Sequence, residues 1–367
     1  MQKHEKHTRD PRFHIVKRAG ISRGKALLIR FLAILAALLL CSVLSTLLIG
    51  ANPLKFISTL FSGSLGSSRR IWKFAKDSAV LLCISLAVTP AFRMRFWNLG
   101  GEGQVLVGAL ASIACAYYLR DSIPNPLLLL IMLVAAVLAG AFWGLFPAIC
   151  KAKWGTNESL FTLMMNYVAT YLVAFALMEW TKADGSSTLG EVAFGHLPRL
   201  YNEYLLLILV VLALTVLVYI YLNYTKQGYE ISVVGESEKT ARYIGINVGR
   251  VITRTVLVSG AICGLAGFLI VAALDHSITT ATVGGLGFTA IMVSWLAKFN
   301  PLIMVGTSAL IIFLQQGGAE MSTIFNVSSA FPNIVVGIIL FFIIGCEFFI
   351  HYQIKSRVSH KKGGVGK

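Results

Sequence analysis

Charged residues are scarce in this chain. They make up 13% of its 367 residues, against roughly 25% in an ordinary globular domain. Hydrophobic residues make up 56%, and the mean hydropathy is +0.76. So few charges do not suit the surface of a single soluble core of this length. The composition therefore excludes an ordinary soluble domain and indicates an integral membrane protein.

Motifs for catalysis and metal binding are also missing. The sequence contains no HExxH, no GxSxG and no GxxxxGK[ST]. Its six cysteines stand singly in apolar stretches without a CxxC pair, so no zinc site or disulfide framework is predicted. His196 and His276 stand alone, and the other histidines lie in or beside the polar tails. These absences argue against an enzyme and against ATP hydrolysis by the chain itself.

The positive charge is concentrated at the two ends. Residues 1–26 carry eight Lys or Arg and two acids, and residues 351–367 carry five Lys or Arg and no acid. Short basic segments beside membrane spans are retained in the cytoplasm. We therefore predict two cytoplasmic tails, 1–26 and 352–367, around a membrane domain at 27–351, and the net charge of +16 needs no nucleic acid to explain it.

Apolar runs predict about ten membrane spans, and an even number suits two cytoplasmic tails. A helix needs about 20 apolar residues to cross roughly 30 Å of hydrocarbon. The predicted spans are 27–49, 78–92, 104–119, 125–149, 159–178, 204–223, 254–274, 286–298, 301–316 and 333–351. The fold class is thus an all-α integral membrane protein.

The loops test this count, because alternate loops should be cytoplasmic and basic. Loops 93–103, 150–158 and 224–253 are basic, as predicted for the inner side. Loop 51–77 disagrees, because it should lie outside yet carries five Lys or Arg. Its stretch Ile71–Phe74 is typical of a helix that lies along the membrane interface.

A polar, glycine-rich sequence, NLGGEGQ at 98–104, interrupts the apolar pattern. A carboxyl group such as that of Glu102 is costly in hydrocarbon unless it faces protein or water. One interpretation is a helix break that lines a solute path, with Asn98, Glu102 and Gln104 as its polar groups. The other is a cytoplasmic turn in which Glu102 is simply solvated. The residues alone do not separate the two.

Three polar residues accompany the span at 159–178. Thr156 or Asn157 is a natural N-cap, and Glu158 then sits where the helix dipole favours negative charge. Asn166 lies about two turns further along and needs a partner within the bundle or in a wet cavity. A helix-to-helix hydrogen bond is the favoured interpretation for Asn166, and a place on the solute path is the alternative.

Glycines mark close contacts and a further break. Gly140 with Gly144, and Gly260 with Gly264, have the GxxxG spacing that lets membrane helices approach closely, so we predict packing sites there. The cluster at 284–288 has no preceding strand and no following Lys-Ser/Thr, so it is not a phosphate loop. It predicts a helix break at the outer surface.

The longest polar interior stretch is 224–253. Within it, residues 235–246, which we call the coupling segment, contain charged helix formers between Gly235 and Gly245. This pattern predicts a short cytoplasmic helix with a glycine at each end.

Four stretches in the correct order resemble one family. NLGGEGQ at 98–104 is similar to the NIGAEGQ signature of inner-membrane permease subunits of ABC importers for ribose-like sugars and nucleosides. GTNESLFTLMMNYVA at 155–169 resembles the GTNE…TLMxNYIA segment of the nucleoside and simple-sugar branch. VVGESEKTARYIGINVGRVI at 233–252 and GGLGFTAIMVSWLAKFNP at 284–301 resemble two further stretches. Gly101, Ser237, Thr240 and Ala297 depart from the usual residues, and none of them removes a charged or amide group of the first signature.

The resemblance implies a type II ABC importer-like bundle of about ten helices in the bacterial inner membrane. It implies a second, related permease subunit, an ATPase subunit that binds the ATP, and an extracytoplasmic solute-binding lipoprotein. The chain itself would need no cofactor, and it would contact lipid and a nucleoside or sugar. The resemblance places ATPase contacts at Gly235, Glu236, Glu238, Ala241, Arg242, Tyr243, Gly245 and Ile246. It places the solute pathway at Asn98, Glu102, Gln104, Asn157, Glu158 and Asn166.

Nucleoside import powered by a separate ATPase is the leading hypothesis, and simple-sugar import is the nearest alternative. An ion-coupled carrier would need intramembrane acids as relays, and Glu102, Glu158 and Glu347 are the candidates for that role. A membrane-embedded enzyme is disfavoured, because no nucleophile and base pair can be assembled from the motifs.

Overall fold

Helices account for nearly all of the described structure. The computed structural model describes residues 13–18, 21–50, 52–119, 123–182, 189–328 and 330–356. The helices are α1 (Arg23–Ile49), α2 (Pro53–Leu65), α3 (Ser68–Arg93), α4 (Gly101–Leu119), α5 (Asn125–Trp154), α6 (Glu158–Trp180), α7 (Leu205–Tyr224), α8 (Lys226–Glu236), α9 (Glu238–Tyr243), α10 (Val248–Ile270), α11 (Leu286–Leu296), α12 (Pro301–Phe325) and α13 (Ala330–His351). A π-helical turn, Val271–Asp275, extends α10.

Each of the ten predicted spans matches helical structure to within two residues, counting the π-helical turn with α10, which confirms the all-α membrane class. Eight helices in the described ranges are long and apolar enough to cross a membrane. The predicted spans outside these eight are the second half of α3, whose first half is charged, and α11. With 11 residues, α11 is only about 16 Å long, so it cannot cross a bilayer by itself.

A short antiparallel strand pair was not predicted. β1 (Phe13–Lys17) pairs with β2 (Tyr352–Ser356), in a register that places Phe13 opposite Ser356 and Lys17 opposite Tyr352. The strands belong to the two basic ends of the chain. Their backbone pairing therefore brings the segment before α1 together with the segment after α13.

The chain divides into two compact units, Ser64–Phe313 and the remainder. In the unit made from both ends of the chain, α1 packs against α13. The Arg30 guanidinium donates two hydrogen bonds to Glu347 Oε1, at 2.6 and 3.1 Å. Glu347 is therefore neutralised by an arginine of α1.

The stretch Ile71–Phe74 is helical, as predicted, and it is part of the long helix α3. Its position along the membrane interface stays a prediction. Ser67 caps the helix by accepting a hydrogen bond from the Arg70 amide, at 3.3 Å. No glycine or proline interrupts the sequence from there until Pro90. The helix therefore runs without a break from its basic first turns into the apolar segment.

Glycines bring α4, α5 and α10 together in the Ser64–Phe313 unit, which confirms the predicted packing role of the GxxxG pairs. A Cβ atom on Gly264 would collide with the Ala136 carbonyl of α5, and one on Gly260 would collide with the Gly140 carbonyl. Gly108 of α4 also packs against the Gly264 backbone. Backbones that approach so closely gain van der Waals contact that larger side chains would prevent.

Replacing Gly264 by alanine should destabilise the protein by about 1–3 kcal/mol, the usual cost of overpacking. Gly306 is the matched control, since it lies inside α12 and a Cβ there meets no atom within 4 Å. We expect Gly306→Ala to leave the melting temperature unchanged or slightly raised. Thermal unfolding in detergent checks both variants, and equal melting temperatures would contradict the packing role.

Candidate functional site

The polar break at 98–104 begins where α3 ends. Arg95 follows α3 in the left-handed conformation, at φ 61°. The Phe96 amide donates to the Ala91 carbonyl at 3.0 Å, and the Arg95 amide donates to the Phe92 carbonyl at 2.9 Å. These two bonds close the end of α3 in the manner of a Schellman motif. The chain then turns and re-enters a helix at Gly101.

Asn98 and Gln104 hold this turn together through their amide groups. Their side chains are almost completely buried, at 0% and 1% exposure. Each amide donates to the other, at 3.3 and 3.2 Å, and the Asn98 oxygen also accepts from the Gly100 amide at 3.1 Å. Ser259 of α10 accepts a further bond from Asn98. The two side chains thus replace backbone bonds that the interrupted helix lacks.

Asn166 of α6 supports the same turn from the other side. Its oxygen accepts from the Gly103 amide, and its nitrogen donates to the Leu99 carbonyl, both at 2.9 Å. Thr162, one turn earlier, accepts from the Leu99 amide at 3.1 Å. The favoured interpretation of Asn166, a hydrogen bond between helices, is therefore confirmed.

Glu102 caps a helix that is remote in sequence. Its Oε1 accepts from the Gly285 amide and its Oε2 accepts from the Gly287 amide, each at 2.7 Å. Gly285 is the N-cap of α11 and has no side chain that could do this. Because a helix N-terminus has unpaired N–H groups and a partial positive charge, the carboxylate satisfies both needs. Glu102 is thus bound to protein, and the interpretation as a simply solvated turn is excluded.

The polar break, Asn166 and the start of α11 together form a junction that lies inside the helix bundle. Gln104 packs against Gly144 of α5, ten residues before that helix ends at Trp154, which corresponds to about 15 Å along its axis. The predicted helix break at 284–288 is confirmed. Gly287, within that break, is buried against Glu102, and the position of the break at the outer surface stays a prediction.

Asn157 and Glu158 do not join this network. Asn157 caps α6 by accepting from the Leu160 amide at 3.1 Å, as predicted. Glu158 pairs with Lys151 of α5 at 2.8 Å. In the part of the chain that the structure describes, neither side chain bonds to Asn98, Glu102, Gln104 or Asn166. Capping and local charge pairing account for both.

The coupling segment forms the end of α8 and the whole of α9. The predicted glycine start is wrong, because Gly235 lies within α8, packed against the Arg93 carbonyl. Ser237 instead begins α9, with its hydroxyl accepting from the Thr240 amide at 3.2 Å. The predicted glycine end is confirmed by Gly245, at φ 84°.

The residues of α9 are exposed, apart from Ala241, which is fully buried. Tyr243 is 93% exposed. Arg242 and Glu238 face each other across one turn at 3.9 Å. The other exposed residues of the segment are Glu236, Lys239, Thr240, Ile244, Gly245 and, in part, Ile246. An exposed aromatic beside mixed charges is the composition of a protein contact surface.

Sequence reasoning missed the partners of the break, namely Thr162, Ser259 and the α11 amides. One signal was present in the sequence. A helix such as α11, which begins after two glycines in an apolar region, needs a hydrogen-bond acceptor from another part of the chain for its first N–H groups. The sequence did not say which acid supplies it.

Interrupted helices joined inside an apolar bundle, with a short exposed helix between two spans, define a multi-pass membrane protein of the permease class. Residues 70–344 match the family described as "Branched-chain amino acid transport system / permease component". The chain belongs to this family, and the resemblance of its four motifs is confirmed.

Several known permeases are similar over most of their length. The glucose ABC transporter permease protein TsgB13 of Haloferax volcanii is 28% identical over 338 residues, which cover 88% of each chain. The guanosine ABC transporter permease protein NupP of Bacillus subtilis is 28% identical, over 88% of this chain and 94% of its own. The nucleoside ABC transporter permease protein NupB of Lactococcus lactis is 26% identical, over 88% and 92%.

Removing the Glu102 carboxylate should release the start of α11. Hydrogen bonds to charged groups contribute about 1.5–3 kcal/mol each, so we expect Glu102→Ala to cost about 3 kcal/mol or more. Glu102→Gln keeps one acceptor and should cost less. Glu179→Ala is the control, because that carboxylate is half exposed and, among the described residues, bonds only to Lys182. Thermal unfolding in lipid nanodiscs measures all three, and a wild-type melting temperature for Glu102→Ala would contradict the cap.

Proposed function

We propose that the chain is the permease subunit of an ATP-driven nucleoside importer. The observation that carries the proposal is the family match at 70–344, together with two relatives named for guanosine and nucleoside transport that align along nearly their whole length. Sugar is the second candidate solute, because TsgB13 is named for glucose and aligns equally well.

The state of the acidic residues supports ATP-driven over ion-coupled transport. An ion-coupled carrier needs an intramembrane acid that is free to bind and release its ion. Glu102 is bound to two backbone amides, Glu158 to Lys151, and Glu347 to Arg30. All three candidate relays are therefore occupied, which suits a pathway for an uncharged, polar solute.

The polar break is our candidate wall of that pathway. It contains Asn98, Glu102 and Gln104, and Asn166 of α6 is hydrogen-bonded to it. Asn157 and Glu158 lie at the start of α6. Because the first four are already engaged in hydrogen bonds, we assign them to shaping the wall. Their amide and carboxylate groups then keep a helix interruption stable in an apolar bundle.

The coupling segment is our candidate contact with the ATPase, which would bind the ATP. Gly235 touches the Arg93 carbonyl at the end of α3, and the polar break follows directly. A push on α9 would thus reach the break through the packing of α8 against the end of α3. Closure of the ATPase pair on ATP would favour one state of the bundle, provided that its contacts differ between the two states.

The remaining parts of the assembly follow from the same proposal. A second, related permease subunit would complete the pathway, and a solute-binding lipoprotein would deliver the solute from outside. The β1–β2 pairing supports two tails on the same side of the membrane, and their basic character supports the cytoplasmic side of a bacterial inner membrane. No role for nucleic acid is proposed.

Transport tests the solute and the energy source together. We expect proteoliposomes that contain the permease pair, its ATPase and its binding protein to accumulate labelled guanosine only with ATP. Excess unlabelled nucleoside should compete, and glucose should not. Uptake without the ATPase, or uptake that is driven by a proton or sodium gradient alone, would contradict the proposal. Competition by glucose alone would favour the sugar candidate.

The exposed face of α9 offers a specific test of coupling. Tyr243→Ala removes a side chain that is 93% exposed, so the fold should be unaffected while ATPase binding and ATP-driven uptake fall at least tenfold. Tyr201→Ala is the matched control, because Tyr201 is 85% exposed and lies outside the segment. Co-purification of the ATPase and uptake measure the effect. Normal uptake by Tyr243→Ala would count against the segment as the contact.

A further inference from the structure

A cavity of about 550 Å³ opens beside the polar break, and the proposed function leaves it without a role. It lies between the ends of α3, α8 and α11 and includes the turn that follows α3. Its volume is within the range of about 300–1,000 Å³ that is usual for small-molecule sites. We call it the aromatic cavity, because four aromatic rings line it: Phe92, Trp97, Trp295 and Phe299.

The four rings contact one another in a row, with one stacked pair and two edge-on pairs. The Trp97 and Trp295 indoles are stacked, with centroids 5.5 Å apart and planes at 27°. Phe92 meets Trp97 edge-on at 5.8 Å, and Phe299 meets Trp295 edge-on at 5.5 Å. The two tryptophans nevertheless stay 44% and 50% exposed. Rings that served only to fill a core would be covered, so these two leave indole surface available to a ligand.

Polar groups of both charge signs also line the cavity. Arg93 lines the cavity too, but its guanidinium already donates to Asn223 Oδ1 at 3.3 Å. The Arg95 guanidinium can only donate hydrogen bonds, and the Glu236 carboxylate can only accept them. Neither side chain has a hydrogen-bond or ion-pair partner among the described residues. A cavity for phosphate would be lined by cations alone. An acid and a base together suit an uncharged ligand that carries both donors and acceptors.

The backbone at the rim is held in an unusual conformation. Arg95, Lys298 and Phe299 have φ values of 61°, 53° and 58°. They are three of the five non-glycine residues with positive φ in the described chain. They end α3 and α11 in the same way, because the Phe96 amide donates to the Ala91 carbonyl and the Phe299 amide donates to the Ser294 carbonyl. Here they direct the two chain turns that carry the cavity wall.

We infer that the aromatic cavity binds the base of a nucleoside, as a second solute station next to the polar break. The base stacks on the exposed indole surface, Glu236 accepts from the base N–H groups, and Arg95 donates to its carbonyl oxygen. The inference rests on the proposed function and adds a site to it. Because Gly235 and Glu236 also belong to the coupling segment, a bound base lies where the ATPase contact is proposed.

Equilibrium binding of labelled guanosine tests this site. The sample is the permease–ATPase complex in nanodiscs without the solute-binding protein, so that binding reports the permease. Stacking of a base on an aromatic ring contributes strongly to binding, so we expect Trp295→Leu to weaken guanosine binding at least tenfold. Trp154→Leu is the matched control, because that tryptophan is 71% exposed and lies outside the cavity. It should bind within twofold of wild type.

A second variant avoids dependence on a packed residue. Arg95 is exposed, lines the cavity and lies outside the coupling segment, so Arg95→Gln should assemble normally and weaken guanosine binding several-fold. Unchanged affinity in both variants would overturn the site, as would the absence of saturable binding. Equal competition by glucose would overturn base recognition, and competition by inorganic phosphate would indicate an anion site instead. If the whole transporter carries guanosine but this binding fails, only the inference falls, whereas guanosine binding without any nucleoside uptake contradicts the proposed function alone.

Discussion

A carboxylate that caps a helix inside an apolar bundle is the interaction on which the rest of the site depends. Glu102 binds both Gly285 and Gly287 through its two oxygens. An unpaired N–H group at such a position would be costly, and so would an unpaired carboxylate. The carboxylate and the N–H groups are therefore both tolerated in the bundle because they bind each other. This pairing lets α4 and α11 both begin within the bundle and not at its ends.

The surrounding contacts make this arrangement a rigid junction. The Asn98 and Gln104 amides close the turn, and Asn166 attaches it to α6. Glycine contacts among α4, α5 and α10 leave no space for the backbone to move aside. In the mechanism that we propose, a junction fixed on so many sides would transmit a push from α8 as a whole. This property suits a permease whose ATP is bound by another subunit, as we propose.

The sequence was sufficient for the class, the apolar spans and the position of the break, because long apolar runs and a polar glycine-rich interruption are local signals. Capping by Asn157 was predictable for the same reason. The partners of the break were not, since the bond between Glu102 and Gly285 joins residues 183 positions apart. The strand pair joins the two ends of the chain, and Gly235 looked like a helix end although it serves a close contact with α3.

Hydrogen exchange of the α11 amides in lipid nanodiscs tests the junction most directly. If Glu102 caps α11, the amides of Gly285 and Gly287 should exchange slowly, at rates close to those of the helix interior. They should differ clearly from Thr280 and Gly284 in the preceding loop, which are exposed and whose amides have no hydrogen bond within the described chain. Exchange of both amides as fast as that loop would show that the carboxylate does not hold the helix, and would contradict a polar break built around the Glu102 cap.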